Sequence, residues 1–128
     1  MKKIALIGST GSIGRQTIEV VKEHTEEFEI VAMAAGSSWD LFQSQLWQIK
    51  PRYAALADSS AAEKIISLPA ETHFCGGEEA ALAVASFEQA DIVLVAAGGF
   101  AGLKYSLAAI NAGKALALAN KETLVCGG

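Results

Sequence analysis

Cysteine, proline and surplus positive charge are all scarce in this sequence, and each scarcity excludes a class of protein. Two cysteines, Cys75 and Cys126, stand far apart and match no metal-ligand spacing. They cannot staple a disulfide scaffold and read instead as buried or free thiols of a reducing compartment. Ten Lys and Arg against fourteen Asp and Glu leave a net charge of −4. That balance argues against a nucleic-acid or anionic-membrane partner. The longest apolar-rich stretch, Ile92 to Leu103, contains three glycines and falls well short of the ~20 residues of a membrane span. The apolar run after Met1-Lys2-Lys3 is likewise too short for the core of a signal peptide. With 52% hydrophobic and 19% charged residues, the chain is too apolar for disorder and unlike a coiled coil. Its 128 residues can bury a real core in one domain but leave no room for a two-domain enzyme. A soluble, cytoplasmic domain is expected, with no repeat, linker or low-complexity segment.

The most telling stretch is Ile4-Ala5-Leu6-Ile7-Gly8-Ser9-Thr10-Gly11-Ser12-Ile13-Gly14. A short apolar run stops at a glycine, and two more glycines come at three-residue spacing before a helical pattern begins. Such a strand–turn–helix offers a phosphate group the unpaired N–H groups and positive dipole end of a helix start. Gly11 would let the backbone approach a pyrophosphate, and Gly14 would let the helix pack closely on the strand. The pattern is G-x-x-G-x-x-G, with Ser9 where the commoner dinucleotide fingerprint has its first glycine. The other reading is a purely structural tight turn.

Short apolar runs alternate with helix-length segments along the whole chain. Strands are expected at 4–7, 28–35, 53–56, 73–75, 92–96 and 115–119. The first helix spans Ile13 to Val21 with Ile13, Thr17, Val20 and Val21 on its apolar face. A second, capped by Asp40 and carrying Leu41, Leu46 and Ile49, ends at Lys50-Pro51. A third starts at Asp58-Ser59-Ser60 and runs to Pro69. Two more are expected from Glu78 to about Phe87 and from Leu103 to Asn111. Apolar strands separated by helices indicate an α/β, Rossmann-like, doubly wound fold: a mainly parallel sheet with helices on both faces.

The residues after the second strand bear on the choice of cofactor. NAD-binding sheets place an Asp or Glu there for the ribose 2′-hydroxyl. Here the strand ends in Ala34-Ala35-Gly36-Ser37-Ser38, with no carboxylate until Asp40. Nothing repels a 2′-phosphate, so NADP(H) is favoured. Ser37 and Ser38 offer hydroxyls and amides to it, although the usual Arg or Lys is missing. The alternative is a helix entry in which Ser38 or Asp40 only caps. Asn120-Lys121-Glu122, after the last strand, lies where open α/β sheets bind ligands; equally, Asn120 could cap a solvated helix with Glu122 near its positive end. Gly98-Gly99 and Gly102 serve either close cofactor approach or a turn. His24 and His73 read as surface or packing residues. Trp39 and Trp47 suit core or subunit contact.

Taken together, Gly8-Ser9-Thr10-Gly11-Ser12-Ile13-Gly14 and Ala119-Asn120-Lys121-Glu122-Thr123-Leu124-Val125 resemble the two ends of the N-terminal NADPH-binding domain of the 1-deoxy-D-xylulose 5-phosphate reductoisomerase family. Val31–Gly36, Pro51–Ala54 and Gly102–Lys114 look like it too. The resemblance implies an oxidoreductase that converts 1-deoxy-D-xylulose 5-phosphate to 2-C-methyl-D-erythritol 4-phosphate in non-mevalonate isoprenoid biosynthesis, using NADPH and Mg²⁺ or Mn²⁺. It implies that Thr10, Gly11, Ser12 and Ile13 hold the cofactor phosphates and that Gly36, Ser37 and Ser38 receive the adenosine end. Asn120 and Glu122 become cofactor contacts and Lys121 the substrate contact. The family often has a basic residue and then Asn where Ser37-Ser38 stand, which loosens the expected grip on the 2′-phosphate. Its metal carboxylates, lid and phosphate anchor lie downstream of Asn-Lys-Glu, so no catalytic or metal residue is expected within 1–128. The chain reads as one NADPH-binding domain, a fragment of a longer enzyme whose catalytic and C-terminal domains are absent, inactive alone and compatible with a homodimer. Competing readings are the NAD(P) domain of another dehydrogenase, or a nucleotide-sensing regulatory domain of the same fold.

Overall fold

The computed structural model describes residues 1–97 and 99–118. Strands β1 (Lys2–Ile7), β2 (Phe28–Ala35), β3 (Tyr53–Leu56), β4 (His73–Gly76), β5 (Ile92–Val95) and β6 (Ala115–Leu118) alternate with helices. These are α1 (Ser12–Glu23), α2 (Trp39–Ile49), α3 (Ser59–Ala62), α4 (Glu78–Ala85) and α5 (Gly99–Asn111). The strands form one sheet in the order β4-β3-β2-β1-β5-β6, and every pairing is parallel. This is the Rossmann-like arrangement expected, with a sheet parallel throughout rather than mainly so.

Alternate residues of β1 feed two cores. Ala5 and Ile7 pack with Ala81, Val84 and Ala85 of α4 and Tyr105 and Ala109 of α5. Ile4 and Leu6 pack with Ile18 and Val21 of α1, Phe42 and Leu46 of α2 and Ala61 of α3. Strand segments buried on both faces have no polar side to display, so Ile4–Ile7 of β1 and Ile30–Ala35 of β2 are continuously apolar. One irregularity breaks the alternation. Ile4 pairs with Ile30 but Ala5 pairs with Ala32, so Val31 is the extra residue of a bulge. Val31 and Ala32 consequently face the same core.

Four expected elements shift, and the simplest is α5, which starts at Gly99 rather than Leu103. The buried residues of α1 are Gly14, Ile18 and Val21, whereas Val20 is 52% exposed and Ile13 and Thr17 are half-buried. On α2 the buried residues are Phe42, Gln45 and Leu46, and the N-cap is Ser38 rather than Asp40. Asp40 sits in the first turn, where its Oδ1 accepts from the Leu41 N–H at 2.9 Å. The helix does end at Lys50, which takes a left-handed conformation with φ 53° before Pro51. Finally, α3 stops at Ala62 instead of reaching Pro69. Ile66 is 87% exposed, and its N–H is taken by Gln43 Oε1 of α2 at 2.9 Å.

So short a helix depends on its cap. Asp58 Oδ1 accepts from the Ser60 and Ala61 N–H groups at 2.9 and 3.2 Å. Asp58→Ala leaves both donors unpartnered and is expected to destabilise the fold by about 1 kcal/mol. An unchanged urea midpoint would show that α3 is held by Ala61 packing alone.

Candidate functional site

The carboxyl ends of all described strands open on one edge of the sheet, and the winding reverses beside β1. From β1 the chain steps through β2 and β3 to β4 at one edge. It then crosses over through α4 to β5, on the other side of β1. Open α/β sheets bind ligands at such a reversal. A crevice of about 190 Å³ lies there, lined among others by Gly8, Ala35, Gly36, Ala57, Ala97 and Tyr105. The glycine turn and the end of β2 therefore border one space, as a dinucleotide site requires.

The turn is built from constraints on each residue. Gly8 has φ +88°, and a Cβ there would sit 3.0 Å from the Ala96 carbonyl carbon; both facts demand glycine. Its N–H and that of Ser9 donate to Ala34 O at 2.8 and 3.2 Å, fastening the turn to β2. The Gly11 N–H bends back to Gly8 O at 3.2 Å, and Arg15 N–H to Gly11 O at 2.9 Å opens the helical ladder. Ser12, Ile13 and Gly14 therefore present N–H groups with no intrahelical acceptor. No acidic residue occupies the first turn of α1, which leaves its positive end free for an outside anion. Gly11 is exposed, and a Cβ there would have only Gly8 O within 4 Å, at 3.7 Å. Gly14 is the opposite case: its Cβ would lie 1.9 Å from Gly8 O. Close packing of α1 on the end of β1 is thus its structural task.

The second loop is exposed at Gly36, Ser37 and Ser38. Gly36 O accepts from the Asp58 N–H at 3.1 Å, while Ser37 O and Ser38 O accept from the Trp39 and Phe42 N–H groups. Ser38 is the N-cap of α2, yet its side chain makes no capping hydrogen bond. Its hydroxyl is thus not consumed by a capping role. Lys64, from the connection after α3, holds its ammonium 5.8 Å from the Trp39 ring centre. Trp39 is the first residue of α2 after this loop, and Lys64 comes 25 residues further along the chain.

Of the sequence candidates, Thr10, Gly11, Ser12 and Ile13 form the turn and helix start, and Gly36, Ser37 and Ser38 come directly after β2. Asn120, Lys121 and Glu122 lie outside the described residues, as do Gly98 and Cys126. Gly102 is not in a turn but inside α5, and it serves helix packing, since a Cβ there would meet Ala97 O at 2.3 Å. His73 is exposed, stacks on Tyr53 and lies 3.4 Å from Cys75 Sγ. Trp39 packs against the core of α1 and α2, while Trp47 is exposed.

Two residues join the site without a signal in the local sequence strong enough to mark them. Tyr105 lines the crevice, and burial pushes its phenol above its ordinary pKa. Gln45, one polar residue among the buried side chains of α2, reaches into the turn. The one hint of it is a glutamine on a face otherwise made by Phe42 and Leu46. Among the described residues no three His, Cys, Asp or Glu side chains stand together, so they do not fit a divalent-metal centre.

The family model for 1-deoxy-D-xylulose 5-phosphate reductoisomerase matches residues 4–128. The reductoisomerase of Synechococcus sp. (strain CC9311) is 44% identical over all of this chain and 33% of its own length. That of Thermomicrobium roseum (strain ATCC 27502 / DSM 5159 / P-2) is 46% identical over 98% of this chain and 31% of its own. Among solved structures, the reductoisomerase from Zymomonas mobilis in complex with NADPH superposes with a TM-score of 0.83 at 30% identity, covering 98% of this chain and 34% of that one. A reductoisomerase in complex with NADPH, fosmidomycin and magnesium gives 0.83 at 32% identity, over 98% and 31%. The chain spans about a third of the length of these relatives.

Proposed function

This chain belongs to the 1-deoxy-D-xylulose 5-phosphate reductoisomerase family, and from that premise we propose that it is the NADPH-binding part of such an enzyme. The observation that carries the reading is the helix start at Ser12, Ile13 and Gly14. Its N–H groups lack intrahelical acceptors, and it adjoins a glycine turn that borders the same crevice as Gly36. The pyrophosphate lies against Thr10–Ile13, where it meets backbone donors and the positive end of α1. The adenosine 2′-phosphate lies against Gly36, Ser37 and Ser38. Asn120 and Glu122 contact the cofactor, and Lys121, the cation of that segment, contacts the phosphorylated sugar. When bound, NADPH supplies hydride, and this chain's residues fix where the nicotinamide stands. The divalent metal and the groups that polarise 1-deoxy-D-xylulose 5-phosphate belong to the rest of the enzyme. In this reading the whole protein is a cytoplasmic reductoisomerase of isoprenoid synthesis, compatible with a homodimer.

Cofactor choice is the discriminating test. No carboxylate stands between Ala35 and Asp40, and Asp40 turns back onto its own helix. NADPH is therefore expected to bind more tightly than NADH in calorimetric titration. Ser37→Asp places like charge beside the 2′-phosphate and is expected to erase or reverse that preference. Equal wild-type affinities for the two cofactors would remove the argument.

A further inference from the structure

We infer that Gln45 is a positioning residue for the cofactor, holding the glycine turn in its phosphate-binding shape from the neighbouring helix. The inference rests on the NADPH-binding role proposed for the turn.

Ser9 is fully buried and Gln45 is 3% exposed. The Ser9 hydroxyl donates to Gln45 Oε1 at 2.8 Å, and Gln45 Nε2 donates to the Ser9 carbonyl at 2.8 Å. The two residues close a hydrogen-bonded ring across 36 positions of sequence. The Ser9 N–H is already given to Ala34 O of β2, so every polar group of Ser9 is engaged. One residue before Thr10, the backbone is thus held from two sides, by strand β2 and by helix α2.

An apolar side chain at position 45 would pack on α2 with less desolvation cost than a primary amide, which is tolerated in a core only when both its ends are paired. Here both ends are paired, and both to the same residue. The consequence is orientation. With Ser9 fixed, the N–H groups of Ser12 and Ile13 point outward before any ligand arrives, and binding avoids the entropy of ordering them. The ring also ties together two loops that act on different ends of one molecule. Gly36–Ser38 lies between the strand and the helix that hold Ser9, so displacement of α2 moves both phosphate sites.

The test is NADPH titration of the folded protein, alongside thermal unfolding and amide hydrogen exchange of the turn. Gln45→Met keeps the length of the side chain and removes both hydrogen bonds. It is expected to weaken NADPH at least tenfold and to speed exchange at Ser12 and Ile13. Ser9→Ala keeps the bond from Gln45 to the carbonyl and is expected to lose about threefold. The double variant is expected to match Gln45→Met, because the two act through one ring. A lowered Tm with NADPH affinity and loop exchange unchanged would assign Gln45 to helix packing alone and overturn the inference. Should Gln45→Met fail to fold, Ser9→Ala decides: unchanged affinity overturns the inference, and a loss supports it. Wild-type protein that does not bind NADPH would instead overturn the underlying cofactor reading.

Discussion

Gly14→Ala is expected to destabilise the protein by at least ~3 kcal/mol, or to prevent folding. Helix propensity alone argues the other way, since alanine in a helix interior is worth up to ~1 kcal/mol over glycine. The contact distances settle the sign. The new Cβ would stand 1.9 Å from Gly8 O and 2.8 Å from Gly8 C and Ser9 Cα, where carbon contacts need about 3.5 Å. These are backbone atoms, not the yielding tip of a side chain. They cannot retreat, because Gly8 N–H is bonded to β2 and Ser9 is clasped by Gln45. Relief requires α1 to lift from the sheet, stripping Ile18 and Val21 from their core. Urea unfolding followed by circular dichroism measures the loss. A folded variant within about 1 kcal/mol of wild type would show that α1 can lift without such cost.

Three residues earlier, the same kind of substitution acts on function instead. Gly11→Val is expected to leave the protein folded while lowering NADPH affinity at least tenfold, or ~1.4 kcal/mol. Gly11 has φ −76° and ψ 173°, an extended conformation that a β-branched residue adopts readily. A Cβ at this position would meet only Gly8 O, at the ordinary distance of 3.7 Å. The loss of glycine at the helix N-cap costs about 1 kcal/mol, within what a stable domain tolerates. The isopropyl group projects where the pyrophosphate has to approach the amides of Ser12 and Ile13. Calorimetry on the folded variant reads the effect directly, and wild-type affinity would place the pyrophosphate elsewhere. Together the two variants separate a glycine kept for packing from a glycine kept for the ligand.

The strands are legible in the sequence because a parallel sheet covered on both faces must be written as continuous apolar runs, as in Ile4–Ile7 and Ile92–Val95. The apolar pattern of α1 misplaces its buried stripe for a physical reason. Part of the buried stripe is Gly14, which has no side chain to register as hydrophobic, while Val20 registers and yet is exposed. The early end of α3 is invisible locally because Gln43, on another helix, takes the Ile66 N–H. The glycine turn itself can be read from local spacing, since strand, turn and helix are contiguous. Its clasp by Gln45 cannot, because two polar residues 36 positions apart leave no periodic trace. Lys64 beside Trp39 is hidden for the same reason.

The position of β1 in the sheet also governs how the molecule is made. It leaves the ribosome before every other described strand and becomes an interior one, yet one of its partners comes much later. The bond from Lys3 N–H to the Asp91 carboxylate, beside the pairing of Ile4 with Ile92, closes a separation of 88 residues. At ~5–20 residues per second of synthesis, that interval lasts on the order of ten seconds. For that time the apolar run Ile4–Ile7 of β1 keeps an open edge, the kind of surface that recruits another chain. A polypeptide halted before Ile92 lacks the strand that covers that edge, so arrested translation products are expected to aggregate through β1 more readily than the full chain.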